Sequence, residues 1–305
     1  MSTLAAPKRV KKLNRLNAGD YLMYLFTGLF ALFCMVPMVL AVCVSFSSEA
    51  SISRYGYRFI PSAWSTEAYR LIFNGQSSVM HSMLISILVT LLGTIAAVAI
   101  TAASAYTLAN TNVKYRNQLS FFFFFIPMTF TAGLVPWYMI CTQLGLRDNF
   151  VALLIPNLLF SPFNMYLVRN YMSDMPGELR ESAYIDGATD VHIFFKIYMP
   201  LSVPVLATVA LFYGLAYWND WWNAIMLVDD KKLYPLQYLL LQLKSQIQMI
   251  KDMQEMMGRS IPGQKAPSES LKMATSIITI GPIVLLYPFL QKYFVKGLVV
   301  GAVKG

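Results

Sequence analysis

The segment Glu181-Ser182-Ala183-Tyr184-Ile185-Asp186-Gly187, followed after nine residues by Ile197-Tyr198-Met199-Pro200, is a charged, glycine-broken stretch between two long apolar runs, 150–172 and 201–227. Ser173 or Asp174 can cap a helix here, Pro176 suits its first turn, and Glu178 places negative charge at the positive helix end. The pattern predicts a short helix from about Pro176 to Asp186, ended by Gly187 in the left-handed conformation. Thr189 or Asp190 then caps a second helix leading into the next apolar run. On the first helix Leu179, Ala183 and Asp186 share a face, with Glu181, Ile185 and the small Ser182 around it. Small residues at 182 and 183 permit close approach of a partner groove. The alternative is an interfacial helix that only turns the chain back toward a bilayer.

Working outward, the 305-residue chain is 57% apolar and 13% charged, which places it among polytopic membrane proteins. A membrane-spanning helix takes about 20 mostly apolar residues, because every backbone polar group must be bonded internally. Runs meeting that demand fall at 20–46, 80–108, 119–142, 150–172, 201–227 and 273–294, predicting six spans in an all-α fold. Tyr21 to Phe46 is longer than the apolar core of a signal peptide, and is read as a retained helix. The domain boundaries are a basic tail at 1–19, a six-helix domain at 20–294 and a tail at 295–305. Within the domain, 173–200 is the docking segment and 229–272 a loop on the opposite face.

The cluster Lys8, Arg9, Lys11, Lys12 and Arg15 places the amino terminus in the cytoplasm, and an even number of spans returns the carboxyl terminus there. Lys114, Arg116, Arg169, Arg180, Lys196, Lys292, Lys296 and Lys304 then also lie inside. Lys231, Lys232 and Lys272 are exceptions within the outer loop. The net charge of +9 is scattered over loops on both faces with no continuous basic stripe, which excludes a nucleic-acid partner and fits topology and anionic lipid. Cys34, Cys43 and Cys141 lie within apolar runs without metal-ligand spacing, and His81 and His192 are far apart. No metal site or nucleophilic triad is expected.

The spacing Glu181-Ser182-Ala183-x3-Gly187-x9-Ile197-x-Met199-Pro200 resembles the EAA-x3-G-x9-I-x-LP motif of permease subunits of binding-protein-dependent ATP-binding cassette importers. Ser182 replaces the second small residue and Met199 the leucine. Tyr217-Trp218-Asn219-Asp220-Trp221-Trp222-Asn223, Leu233-Tyr234-Pro235-Leu236-Gln237 and Gln291-Lys292-Tyr293-Phe294-Val295-Lys296-Gly297 are similar to carbohydrate permeases related to the second membrane subunit of the maltose importer. The last two resemble complex-oligosaccharide permeases of Gram-positive bacteria. The resemblance implies a type I importer permease fold in a bacterial plasma membrane and a non-catalytic subunit for oligosaccharides. It also implies a companion permease, an ATPase dimer that binds ATP and Mg, and an extracytoplasmic solute-binding protein. Glu181, Ser182, Ala183, Asp186, Gly187, Ile197 and Pro200 would carry coupling to the ATPase. No cofactor is expected on this chain. Gly258-x4-Gly263-Gln264-Lys265 lacks the adjacent Lys-Ser/Thr pair of a phosphate loop and is read as chance.

Two other readings remain: a permease of the same kind for another polar solute, and an ion-coupled secondary carrier. A carrier of that kind places ionisable residues deep in the membrane. Asp220 is the main candidate, but a straight helix from Pro200 would carry it roughly 30 Å, to the outer boundary. Around it, Asn219 and Asn223 share one helix face and Trp218 and Trp222 a neighbouring one, suited to sugar hydroxyls and apolar sugar faces. The same tryptophans also fit an interfacial belt. Asn157 and Asn164 either line the cavity or bond a neighbouring helix. Gly93, Ala97, Thr101 and Ala105 form a small-residue seam for close packing, and prolines 37, 127, 136, 156, 204, 282 and 288 predict kinks.

Overall fold

The computed structural model describes residues 18–73, 78–257 and 269–284. In chain order the helices are α1 (Ala18–Ser45), α2 (Glu49–Tyr55), α3 (Glu67–Phe73), α4 (Val79–Ala109), α5 (Arg116–Ser120), α6 (Ile126–Thr129) and α7 (Leu134–Gln143). There follow α8 (Pro162–Ser173), α9 (Glu178–Ile185), α10 (Asp190–Ile193), α11 (Met199–Leu201), α12 (Val203–Trp218), α13 (Trp222–Leu227), α14 (Leu236–Met257) and α15 (269–284). No strand occurs among the described residues; one isolated bridge joins Ser47 to Trp64. Both terminal tails, the stretch 291–297 and the glycine pattern at 258–265 lie outside the described residues.

Among the described residues two helices, Gly19–Ser45 and Val79–Ala109, are long and apolar enough to cross a membrane. They correspond to the first two predicted spans. A third arises if Asp190–Leu201 and Val203–Trp218, bent by 80° at Ser202, are taken as one. Three of the other runs are interrupted, which corrects the expectation of continuous helices there; the last, 273–294, is helical as far as residue 284, and the rest of it lies outside the described residues. Run 119–142 passes through a π turn at Phe121–Phe125, ends α6 at Thr129 and resumes at α7 after Gly133, whose φ is +83°. Run 150–172 begins as a 3-10 turn, Phe150–Leu153, and is non-helical from 154 to 161. Run 201–227 breaks after Trp218. Within 229–272, read as a loop, stands the long helix α14. Its signal was Leu236, Leu239, Leu243 and Ile247 at spacings of three and four.

The two π turns, Phe121–Phe125 and Phe194–Tyr198, share a cause. Each ends two residues before a proline, Pro127 or Pro200. The proline ring clashes with the carbonyl four residues earlier, that of Phe123 or Lys196, and widening the turn moves that carbonyl aside.

At the centre stands α4, on which α8 and α12 both pack. The seam Gly93, Ala97, Thr101 and Ala105 is buried, as its spacing predicts. A methyl group on Gly93 would lie 2.4 Å from the Tyr217 ring, so only glycine admits this approach. Thr101 and Tyr213 share a hydrogen bond of 2.7 Å between hydroxyls. The non-helical stretch 154–161 is held from the same side: Tyr217 donates to the Leu154 carbonyl at 2.8 Å and Asn223 Nδ2 to the Pro156 carbonyl at 2.9 Å. The Tyr213 hydroxyl accepts from Ser161 N–H at 2.9 Å. A second apolar cluster joins α3, α14 and α15 through Ile72, Leu236, Leu239 and Ala274, with Trp218 and Val79. In contrast, α1 is exposed along nearly its whole length.

Candidate functional site

The segment 173–200 folds as the helix, tight turn and helix that its sequence predicts, with shorter bounds. Ser173 ends α8 and the N–H of Asp174 bonds the Asn170 carbonyl, so neither caps α9. Gly177 precedes α9 without a side-chain cap, and Glu178 and Glu181 supply the negative charge of the first turn. At the other end Gly187 has φ +80°; its N–H bonds the Tyr184 carbonyl at 3.0 Å and Ala188 N–H the Ala183 carbonyl at 2.9 Å. Those two bonds form a Schellman closure, which requires the left-handed residue. Thr189, not Asp190, caps α10: its hydroxyl accepts from His192 N–H at 3.3 Å.

The faces of α9 differ from the expectation in one respect. Ala183 is buried and belongs to the protein's own core, so its small size serves the approach of α9 to its own helices. The outward surface comprises Glu181, Ser182, Ile185 and Asp186, with Ile185 86% exposed; Val191, after the turn, is 66% exposed. Ile197 is half-buried in the second π turn, and Pro200 is exposed beside the 80° elbow.

Behind α9 a polar cluster fixes it to α4. Asp190 Oδ1 accepts from the Tyr184 hydroxyl at 2.6 Å and from the Tyr106 hydroxyl at 3.1 Å. The bond to Asp190, followed by burial, pushes the Tyr184 phenol above its ordinary value. Arg180 stacks over the Tyr106 ring at 5.2 Å and the Tyr198 ring at 5.0 Å. Its Nε and Nη2 are buried without a hydrogen-bond partner, so ring faces hold the guanidinium. Arg169 Nε donates to the Leu108 carbonyl at 3.4 Å, tying α8 to the same end of α4. Sequence reasoning missed this group because Tyr106 sits in an apolar run remote from the motif, among the hydroxyl residues Thr101, Ser104 and Thr107, from which nothing in the string distinguishes it.

The aromatic group is not brought together as a single helix face, since α12 stops at Trp218. Trp218 is buried and donates Nε1–H to the Thr279 carbonyl at 3.0 Å. Asn223 is buried on Pro156, and Asn164 is buried in the first turn of α8. Asn219, Trp221 and Trp222 are exposed, with Asn219 Oδ1 accepting from Gln237 at 3.1 Å. Asp220 Oδ1 accepts from Trp222 N–H at 3.1 Å, a local turn that opens α13. Asn157 is exposed at φ +62° within the non-helical stretch.

Against known proteins, residues 102–300 match the family described as "Binding-protein-dependent transport system inner membrane component". The polygalacturonan/rhamnogalacturonan transport system permease protein YtcP of Bacillus subtilis (strain 168) is 36% identical over 286 residues, 94% of this chain and 98% of its own length. Protein LplC of the same organism is 35% identical over 281 residues, 92% and 93% of the two chains. A crystal structure of a bacterial ABC transporter involved in the import of the acidic polysaccharide alginate superimposes with a TM-score of 0.78. It is 27% identical and covers 92% of this chain and 100% of that one. With the helix, Gly187 turn and exposed face of α9 in place, this chain belongs to the family of binding-protein-dependent transport system inner membrane components, the permease subunits of ATP-binding cassette importers.

Proposed function

We propose that the chain imports oligosaccharides as one of two permeases in a type I importer, coupled through α9 to a cytoplasmic ATPase dimer that binds ATP and Mg. The observation that carries this reading is α9 itself: a short helix closed by Gly187, fixed to the protein on its Ala183 side and offering Glu181, Ser182, Ile185 and Asp186 outward. In the proposed topology six spans cross a bacterial plasma membrane. Both termini and 173–200 then lie in the cytoplasm, and α2, α3 and α14 on the side of a solute-binding protein. Ile197 and Pro200 sit in the strained stretch between α10 and the elbow, where displacement of α9 is absorbed or passed on.

The solute class follows from the relatives, described as transporting polygalacturonan and rhamnogalacturonan or as involved in the import of alginate. For the path itself, non-helical backbone at membrane depth is tolerated only inside protein or beside water. Stretch 154–161 with the exposed Asn157 is therefore a lining candidate, together with Asn219 and Trp222. The buried Trp218, Asn164 and Asn223 support those segments from behind.

The test is affinity purification of the chain from its native membrane, with mass spectrometry and ATPase assay of what accompanies it. A second permease and an ATPase are expected, and Gly187→Pro should insert normally but lose uptake, because proline cannot adopt positive φ and removes the N–H bonded to Tyr184. Recovery of this chain alone, or ATP-driven uptake of galacturonate oligomers undiminished in Gly187→Pro, would overturn the assignment.

A further inference from the structure

Movement of α9 has two routes into the rest of the molecule. Along the chain it passes through 174–177 to α8, or through the Gly187 turn, the Phe194–Tyr198 π turn and the 80° elbow to α12. Each of those joints is a place where helix geometry is broken and displacement dissipates in backbone torsion. Across the chain the route is direct. Asp190, the first residue of α10, accepts on one carboxylate oxygen from Tyr184 of α9 and from Tyr106 of α4, a partner 84 residues away. Arg180 fills the remaining angle, pressed on the Tyr106 and Tyr198 rings, and Phe194 lies 5.2 Å from Tyr106 ring to ring.

We propose that Asp190 is a positioning residue for transport: through Tyr106 it locks α9 to α4, so that displacement of α9 carries α4 and the α8 and α12 helices packed on it. The inference rests on the reading of α9 as the coupling helix. The Tyr184 bond, at 2.6 Å, has the short length of a charge-assisted hydrogen bond, and the Tyr106 bond, at 3.1 Å, reaches the same oxygen from α4, so the carboxylate is held from two directions. The small-residue seam of α4 then spreads that motion, because its partners lie too close to slip past. The Tyr106 hydroxyl and the Asp190 carboxylate thereby serve as one joint rather than two separate contacts.

The experiment uses the assembled importer, with Cys34, Cys43 and Cys141 replaced by serine and spin labels at Glu178 on α9 and Leu91 on α4. The distance between labels is read by pulsed electron resonance without nucleotide and after trapping with ATP and vanadate. In the parent complex the distance is expected to be the same in both states, since α9 and α4 move as one body. In Tyr106→Phe, which keeps the ring stack and removes only the hydroxyl, and in Asp190→Asn, which keeps the side-chain size, it is expected to shift between states. The double variant should shift no further than the larger single shift, as for members of one joint. A shift in the parent complex, or variants as invariant as the parent, would overturn the proposal. Failure of the parent chain to recruit an ATPase at all would instead remove the coupling reading beneath it.

Discussion

Gly93 and Tyr217 meet where α4 and α12 are closest, and the Tyr217 ring has nowhere to go. Its hydroxyl is tied to the Leu154 carbonyl at 2.8 Å, and retreat would release the non-helical stretch behind it. Gly93→Ala should therefore destabilise the protein by about 1–3 kcal/mol through overpacking. Tyr217→Phe should cost about 1–3 kcal/mol by leaving the Leu154 carbonyl unpaired. The two together should cost less than their sum, because a ring freed of its bond can yield to the methyl group. Thermal unfolding in mild detergent measures all three, and strict additivity would show that the tether does not hold the ring. At this scale the sequence was legible in part. The four-residue seam on α4 announced close packing, yet nothing in the string said that Tyr217 was the residue brought against it, since that contact is set by the elbow before α12.

Among the elements, α2 and α15 are joined by a clasp of carboxylates. Glu49, the first residue of α2, accepts from Glu269 N–H at 3.1 Å and Ser270 N–H at 3.3 Å on α15. Tyr57 then donates to Glu269 Oε2 at 2.9 Å, and Lys272 pairs with the same carboxylate. Glu49→Ala should weaken the first turn of α15 by about 0.5–2 kcal/mol, seen as faster hydrogen exchange of the 269 and 270 amides with α14 unaffected. Unchanged exchange at those amides would show that other partners suffice. The same clasp has a pH signature. Burial, and then the bond to Glu269, pushes the Tyr57 phenol from its ordinary value up to about 12. The folded form thus holds its proton more tightly, and the clasp is intact below pH 10 and loosens as pH rises toward 12. Helices α1 and α4 were legible from apolar length, and α9 from the first-turn charge of Glu178 and the stop at Gly187, although its expected caps do not form. The interruptions at 130–133 and 154–161 were not, because composition records apolar content but not which carbonyls find partners. Pro127, Pro136 and Pro156 marked those regions without fixing where the helices would stop.

For the whole molecule, the proposed topology makes a prediction separate from transport. Single cysteines at Lys114 and Asp186 should react with an impermeant thiol reagent only from the cytoplasmic side, and cysteines at Arg58 and Asp230 only from outside. Labelling of 186 and 230 from the same side would remove the fifth span and the six-helix reading with it. Among the described residues the core is built without the first helix: α4, α8 and α12 enclose Val89, Ala97, Met165 and Val209, while α1 packs little against the other described helices. That nakedness sets the order of the molecule's biography. A helix that owes so little to later residues can settle in lipid while the rest is still being synthesised, and its eventual tilt is dictated by bilayer thickness or an adjoining subunit. The polypeptide thus arrives in the membrane as an anchor first and a machine afterwards.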